Sequence, residues 1–319
     1  MKILVTGAAG LYGVHVVDEL VKRKDVSTVY GVDNFSRGFL ENDPFIKSPE
    51  FESKFKLLRI DYQDMDSQFL DNLEVEVIIH FASYVSIDES IDKPAEYFYN
   101  NEEGTFKFAH SILKTKTKPF LIYASSPEVY GNPIYTPMDE SHPMHPRSTY
   151  AVTKLAAEKH CLSLYEWHNY PVAVIRNFNT FGENQNLWGY SGVIPRFIEQ
   201  ALKGEPLTIH GDGKQTRDFM YVKDGVRAYN LFIDKRHKLK GEILNIGTEK
   251  QTSILELANK IKGLTKSDSK IVFEKGRPGD LFALHADISK AKKKLGWEPR
   301  FTLDQGLGGT IEWYRRFVR

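Results

Sequence analysis

A short apolar run, residues 2–5, passes directly into Thr6-Gly7-Ala8-Ala9-Gly10-Leu11-Tyr12-Gly13 and then into apolar residues at helical spacing, Val14, Val17, Leu20 and Val21. Positions three and four apart share one helix face, so the order is strand, glycine turn, helix. Glycines let a backbone turn tightly and approach a pyrophosphate closely, and a helix N-terminus stabilises the pyrophosphate charge. The spacing is Gly-x-x-Gly-x-x-Gly, a variant of the Gly-x-Gly-x-x-Gly fingerprint. A second strand over residues 26–32 runs into Asp33, twenty residues beyond Gly13, where an acid reaches a ribose hydroxyl. A lone glycine triplet says little. Strand, turn, helix, strand and acid in register point to a bound dinucleotide, and the acid repels a 2′-phosphate, which favours NAD over NADP.

Further apolar runs at residues 57–60, 75–80, 120–124 and 172–175 alternate with helical patterns. Such alternation predicts an α/β fold, a Rossmann-type doubly wound parallel sheet, in which ligands gather at the carboxyl ends of the strands. Asp61, the Phe81-Ala82-Ser83 turn, Ser125-Ser126 and Asn177-Phe178-Asn179 all fall at such ends. A helix predicted from about residue 148 to 167, with Ser148 as its cap, carries Tyr150 and Lys154 four apart on one face. A unit charge ~4 Å from a phenol at an effective dielectric of ~20 contributes roughly 4 kcal/mol, about three pKa units. On that geometry Tyr150 is expected to serve as a base near neutrality. By itself Tyr-x-x-x-Lys is equally an ordinary surface pair, and the surrounding strand ends give it weight.

Beyond Asn179 the texture changes. Loops at residues 180–192 and 210–218 interrupt shorter elements, as expected of a part built to receive a substrate. A strand at residues 242–246 ends at Gly247, a helix follows with a Ser253-x-x-Glu256 capping pattern, and Asp287 is expected to cap another helix that stops at Leu295-Gly296. The expected division is a NAD-binding part over residues 1–180, with return segments at about 218–247, and a smaller C-terminal α/β substrate-binding domain over residues 181–319. With 43 basic and 42 acidic residues the chain has no net field to hold nucleic acid or an anionic membrane, and neither is an expected partner. Lys290-Ala-Lys-Lys-Lys294 reads as a solvated helix face. Cys161 is the only cysteine, so no intramolecular disulfide forms, and a buried inert thiol in the cytosol is expected. The opening apolar run is too short for a signal peptide, and no stretch approaches the ~20 apolar residues of a membrane span. His142 and His145 flank a Pro-Met pair without clustered partners, and no metal is expected.

The ordered motifs jointly resemble the extended short-chain dehydrogenase/reductase family, and within it the NAD-dependent nucleotide-sugar epimerases and dehydratases. They are Thr6-Gly-x-x-Gly-x-x-Gly13, Val32-Asp33-Asn34, His80-Phe-Ala82, Asn101-x-x-Gly104-Thr105, Ser125-Ser-x-x-Val-Tyr-Gly131, Tyr150-x-x-x-Lys154 and Arg176-Asn-Phe-Asn179. Gly211-Asp-Gly-x-x-x-Arg217-Asp218-Phe219, Asn245-Ile-Gly247, Arg277-Pro-Gly-Asp280 and Leu295-Gly-Trp-x-Pro299 continue the likeness over nearly the whole chain. The resemblance implies that Gly7, Gly10 and Gly13, with Leu11 and Tyr12, receive the NAD pyrophosphate. It assigns Asp33 to the adenosine ribose, Asp61 and Tyr62 to the adenine edge, Lys154 to the nicotinamide ribose, and Asn34, Phe81, Ala82, Ser83, Asn101, Tyr150 and Phe178 to further cofactor contacts. Asn179, Arg217 and Arg277 are implied to bind the diphosphate of a nucleotide sugar, together with Ser126 at the sugar and Asp280 at a ribose. Planar arginine donors suit phosphate. An ion pair of Arg217 with Asp218, or of Arg277 with Asp280, is the competing structural role.

The implied reaction is inversion at C4 of a UDP-hexose through a 4-keto intermediate, with Ser126, Tyr150 and Lys154 as the catalytic set and a homodimer as the expected assembly. Glu128 opens an alternative, because nucleotide-sugar 4,6-dehydratases resemble Thr-Asp-Glu-Val-Tyr-Gly here and UDP-glucuronate decarboxylases Thr-Ser-Glu-Val-Tyr-Gly. In this chain Pro127 replaces the dehydratase acid and cannot protonate a leaving hydroxyl. A reductase would share the triad but release its cofactor. A silent NAD-binding module would not need all three side chains. Leu284 falls near the position that limits the group at C2 in the epimerases it resembles.

Overall fold

The computed structural model describes residues 1–37, 49–186, 192–276 and 281–318. Seven strands, β1 (Lys2–Thr6), β2 (Thr28–Val32), β3 (Phe55–Leu58), β4 (Val77–His80), β5 (Phe120–Ser125), β6 (Val172–Asn177) and β7 (Ile243–Ile246), form one sheet. Their order is β7-β6-β5-β4-β1-β2-β3 and every pairing is parallel. The chain moves outward from β1 to β3 and then returns to β4 on the other side of β1. That reversal opens a crevice at the carboxyl ends of β1 and β4.

The strands are apolar on both faces because both are covered. Ile3, Val5, Val77, Ile79, Ile122 and Ile175 pack toward α1 (Leu11–Lys22) and a late helix, Val222–Lys235, through Val17, Leu20, Tyr229 and Phe232. Leu4, Ile78, Leu121, Val172 and Val174 pack on the opposite face, against α2 (Gly104–Leu113) and α3 (Thr149–His168), through Phe108, Ile112, Ala157, Cys161 and Leu164. The doubly wound α/β fold expected from the alternation is the fold of the chain. Register sets the strand ends level: Thr6 lies opposite Val32 and His80, Ser125 opposite Arg176, and Asn177 opposite Ile246.

Several strand boundaries differ from the sequence reading by one or two residues, most plainly at the β2–β3 edge. The second strand begins at Thr28, and β3 spans Phe55–Leu58 rather than 57–60. The Phe55 ring lies so close beneath Gly31 that a Cβ there would sit 2.6 Å from it, and this contact sets where β3 pairs. The last bond at this edge runs from the Asp33 N–H to the Leu58 carbonyl at 3.3 Å. Ser148 caps α3 as expected, accepting from Ala151 N at 3.1 Å.

C-terminal to the sheet, Leu207–His210 pairs in parallel with Ile271–Glu274, flanked by helices Val193–Lys203, Ile254–Thr265 and Leu303–Tyr314. Phe197, Ile209, Leu257 and Leu307 from these elements join the core on the α1 side of the sheet. Ser253 caps its helix by accepting from Glu256 N at 3.1 Å. A complete reciprocal capping box forms at Thr302 and Gln305, which the sequence reading passed over. Asp287 accepts from Ser289 N at 2.7 Å but lies one residue before the N-cap position, which Ile288 holds without a side-chain cap; the helix Ser289–Leu295 ends at Gly296 with φ +64°. Lys290 pairs with Glu242 at 3.1 Å and Lys292 with Glu249 at 2.5 Å, so this basic run is matched by acids. Among the described residues no helix is long and apolar enough to cross a membrane.

Candidate active site

At the crevice the glycine turn is built from backbone. Gly7 has φ +68°, and a Cβ on it would sit 2.8 Å from Ala82 N; one on Gly13 would sit 2.2 Å from the Gly7 carbonyl oxygen. Gly10 bonds back to the Gly7 carbonyl at 3.1 Å and leads into α1 as its extended N-cap. The first N–H groups of α1 have no partner within the helix and face the crevice end. Asp33 accepts from Ala9 N at 2.9 Å and Phe35 N at 2.8 Å. Burial raises its carboxyl above the usual range against the pull of those two N–H groups. Asn34 donates to Asp61 at 2.8 Å, which links the ends of β2 and β3. A turn without Cβ atoms, a helix N-terminus and an acid beyond it fit a dinucleotide.

The neighbouring residues divide by the direction of their side chains. Leu11 is half-buried, and the Tyr12 ring stacks on Phe81 at 5.3 Å with its hydroxyl 2.7 Å from Thr180 Oγ1. Phe81 N and Ala82 N donate to the Thr6 carbonyl and hydroxyl at 3.1 and 3.3 Å, and Ser83 Oγ donates to the Tyr84 carbonyl at 3.2 Å. Tyr62 turns inward. Its ring packs on His80 and Phe108 and its hydroxyl donates to the Asn100 carbonyl, leaving its main chain at the edge. Phe178 is likewise fully buried, with its N–H on the Ile246 carbonyl at 2.9 Å. Asn101, on a π-helical turn, Phe98–Glu103, uses its amide to hold both the N–H and the carbonyl of Tyr84, at 2.8 and 2.9 Å.

Ser126 leaves β5 and caps the short turn Pro127–Tyr130, its Oγ accepting from Glu128 N at 3.3 Å. Tyr150, in the first turn of α3, brings its phenol to Ser126, and its ring meets Tyr97 edge-on at 6.4 Å. Burial pushes this phenol up to about 12, the Ser126 hydrogen bond draws it down, and the nearby Glu128 carboxylate pushes it up. The acidification expected from Lys154 is not what this geometry produces. The Lys154 ammonium donates to the Ala124 carbonyl at 2.6 Å and lies 4.5 Å from the Tyr123 ring centre. Burial brings it down to about 7, opposed by Cys161 and Glu158. Spacing alone treats the charge as half-solvated; both groups are buried, and desolvation is the largest influence on each. Cys161 is buried and its thiol is pushed up to about 12, as an inert thiol should be.

A buried polar layer behind these residues escaped the sequence reading. Glu158 accepts from Ser125 Oγ at 2.7 Å and from Arg176 Nε at 3.0 Å, and Arg176 continues to Tyr130 at 2.7 Å and thence to Asn245 at 2.7 Å. His80 lies between Thr6, at 2.6 Å, and Thr105, at 3.2 Å, and burial holds it neutral, down to about 3. Two signals were available. Glu158 repeats the four-residue step from Lys154, and Arg176 is a charge inside an apolar strand.

Opposite the crevice, Asn179 has a buried side-chain oxygen without a partner, while its carbonyl accepts from Met220 N at 2.9 Å. Arg217 donates to the Thr216 and Leu281 carbonyls at 2.9 and 2.7 Å. Asp218 accepts from Thr248 N, Glu249 N and Ala286 N at 2.8, 3.0 and 3.3 Å, a loop-holding role. Leu284 is fully buried, its N–H on the Thr216 carbonyl at 3.2 Å. Arg277 and Asp280 lie outside the described residues. His142 is taken up by the Ile134 N–H at 3.0 Å and the Pro143 carbonyl at 2.7 Å.

A doubly wound parallel sheet with a glycine turn at one strand end and serine, tyrosine and lysine at another defines an extended short-chain dehydrogenase/reductase. The profile of the GDP-mannose 4,6 dehydratase family matches residues 4–310. The chain is 36% identical to the UDP-N-acetyl-alpha-D-glucosaminuronate decarboxylase of Bacillus cytotoxicus over 98% of both chains, and 33% identical to the UDP-glucose 4-epimerase of Mycolicibacterium smegmatis over 99% of both. The UDP-glucuronic acid 4-epimerase of Bacillus cereus, solved with UDP-glucuronic acid and NAD, matches with a TM-score of 0.90 at 31% identity over 99% of both chains. The chain belongs to the GDP-mannose 4,6 dehydratase family and is an NAD-dependent enzyme of the nucleotide-sugar epimerase and dehydratase class.

Proposed function

We propose that this enzyme inverts C4 of a UDP-hexose of the UDP-glucose/UDP-galactose type through a transient 4-keto sugar. The observation that carries this reading is the Tyr150 phenol set close to Ser126 at the carboxyl end of β5, with Lys154 one turn along the same helix. Tyr150 takes the proton of the sugar 4-hydroxyl while Ser126 hydrogen-bonds the same oxygen. NAD, when bound, supplies a hydride acceptor that can return the hydride to C4. A phenol held near 12 needs cationic help to ionise, and Lys154 is the cation on its helix face. The flat ketone turns over within the crevice, and Tyr150 then returns the proton to the oxygen in its new orientation.

In this reading Gly7, Gly10, Leu11, Tyr12 and Gly13 cradle the NAD pyrophosphate, Asp33 and Asn34 hold the adenosine ribose, and Asp61 with the Tyr62 main chain borders the adenine. Asn101 fixes the Tyr84 loop beside the nicotinamide. Residues 1–180 and the returns at about 218–247 carry NAD, and residues 181–319 receive the nucleotide sugar, with Asn179 and Arg217 at its diphosphate. The unpartnered Asn179 oxygen supports a polar ligand there. Phe98, Tyr99 and Phe106, and Val152 of α3, are exposed apolar side chains that suit contact with a second copy in a homodimer. A lone thiol suits the cytosol.

A second reading, decarboxylation or 4,6-dehydration, is favoured by the buried Glu128 carboxylate next to Tyr150. Purified protein incubated separately with UDP-glucose, UDP-N-acetylglucosamine, UDP-glucuronate and dTDP-glucose, with products followed by NMR, decides between them. Equilibration of C4 stereoisomers without net NADH is expected. Carbon dioxide release or a 6-deoxy-4-ketose would replace the epimerase reading with the second.

A further inference from the structure

Two loops that leave different strands meet outside the glycine turn. Arg37 follows β2 by five residues and Glu89 follows β4 by nine, and the guanidinium is ion-paired with the carboxylate. β1 lies between β2 and β4 in the sheet. A link between the loops after those outer strands therefore spans two strand spacings, about 9.6 Å, and passes over the carboxyl end of β1, where the chain turns through Gly7 to Gly13.

The link is built on both sides. Glu89 is 4% exposed and sits in the helix Ile87–Asp92, which Ser86 caps at 3.2 Å. Its carboxylate also accepts from the Tyr97 hydroxyl at 3.1 Å and pairs with Lys93 at 3.3 Å. The guanidinium of Arg37 lies 4.0 Å from the centre of the Tyr84 ring, and Asn101 fixes the Tyr84 backbone. A guanidinium over an aromatic face and a charge-assisted hydrogen bond reinforce each other where solvent is partly excluded. The Arg37 carbonyl accepts from Asn186, beyond β6, at 3.4 Å, so the same residue also reaches the opposite wall. On the near side the turn is closed by Ala82, whose N–H would meet a Cβ on Gly7.

We propose that Arg37 and Glu89 form a clasp across the dinucleotide groove that slows NAD dissociation, so that the cofactor outlasts the keto intermediate. This rests on the assignment of NAD to the glycine turn. The clasp adds contacts that a bound dinucleotide must break to leave, and it acts on the dissociation rate more than on the association rate.

The test is the NAD dissociation rate of the purified holoenzyme, read as loss of cofactor fluorescence quenching after dilution into excess competing nucleotide. Arg37→Ala and Glu89→Gln should each release NAD roughly tenfold faster, as expected for the loss of one charge-assisted pair. The reversed pair Arg37→Glu/Glu89→Arg should recover most of the retention. Unchanged release from the single variants, or faster release that the reversed pair leaves uncorrected, overturns the clasp. Gly13→Val serves as the control: NAD lost there but retained in the clasp variants removes the clasp and keeps the NAD site, whereas NAD still bound in Gly13→Val overturns the site itself.

Discussion

The two ends of the crevice are made of different material. Around Gly7, Gly10 and Gly13 the site is backbone, and what matters is the Cβ atoms that are missing. Around Ser126, Tyr150 and Lys154 the site is side chain, and what matters is burial: the phenol is raised to about 12 and the ammonium lowered to about 7. Backbone N–H groups cannot titrate, so the first end offers a constant field to an anion. In the proposed mechanism the second end moves a proton, and it would do so with two groups whose charged forms the protein interior opposes. Displacing a backbone cradle is chiefly a steric matter, whereas altering the proton-handling end is an electrostatic one.

The sharpest way to break this contrast is Tyr150→Phe. Loss of the phenol oxygen should cost on the order of 10²- to 10⁴-fold in turnover while NAD stays bound, because the cradle is untouched. Turnover measured by C4 isomer exchange and cofactor content measured on the same sample should therefore separate. Retained turnover would remove Tyr150 as the base.

Next comes the polar layer that supports the side-chain end. Glu158→Gln leaves the Arg176 guanidinium, fully buried, without its countercharge, which should cost roughly 3–5 kcal/mol. A denaturant midpoint unchanged from wild type would show that the layer contributes nothing to holding β5, β6 and α3 together.

At the backbone end, Gly13→Ala places a methyl 2.2 Å from the Gly7 carbonyl, a contact that only a shift of the turn relieves. A destabilisation of about 1–3 kcal/mol and weaker NAD binding are expected, with the proton-handling groups still in place. Equal affinity for NAD by calorimetry would detach the cradle from the cofactor.

The effect that is absent at neutral pH and emerges only on acidification sharpens the boundary between the two ends, at His80. Its folded pKa is about 3 against 6.5 unfolded, so the unfolded chain takes up the proton first. The contribution is fully present above pH 6.5 and is lost as the pH falls toward 3, by up to roughly 1.4 kcal/mol per pH unit. In His80→Asn, urea midpoints measured across this range should lose that part of the acid slope; an unchanged slope would mean that His80 does not titrate in it.

Much of this was legible in the residues. The glycine spacing with Asp33 announced the first strand, turn and helix, because each depends on local stereochemistry: positive φ, a missing Cβ, a helix start. Ser148 and Ser253 marked their helices for the same reason. The register of β3 was not readable, since it depends on the Phe55 ring fitting beneath Gly31, a contact between distant segments. Nor was the inward turn of Tyr62 and Phe178, two aromatics at strand ends whose rings the core claims.

The sequence by itself determined the order of strands and helices, the cradle and the residue types available for proton transfer, because periodicity and glycine stereochemistry act over a few residues. Only the tertiary structure decided how those residues are charged and what holds them. The spacing of Tyr150 and Lys154 predicted an acidified phenol, but their burial between α3 and β5, with Lys154 drawn to the Ala124 carbonyl, raised it instead. Desolvation is a property of everything packed around a group, and no four-residue spacing contains it.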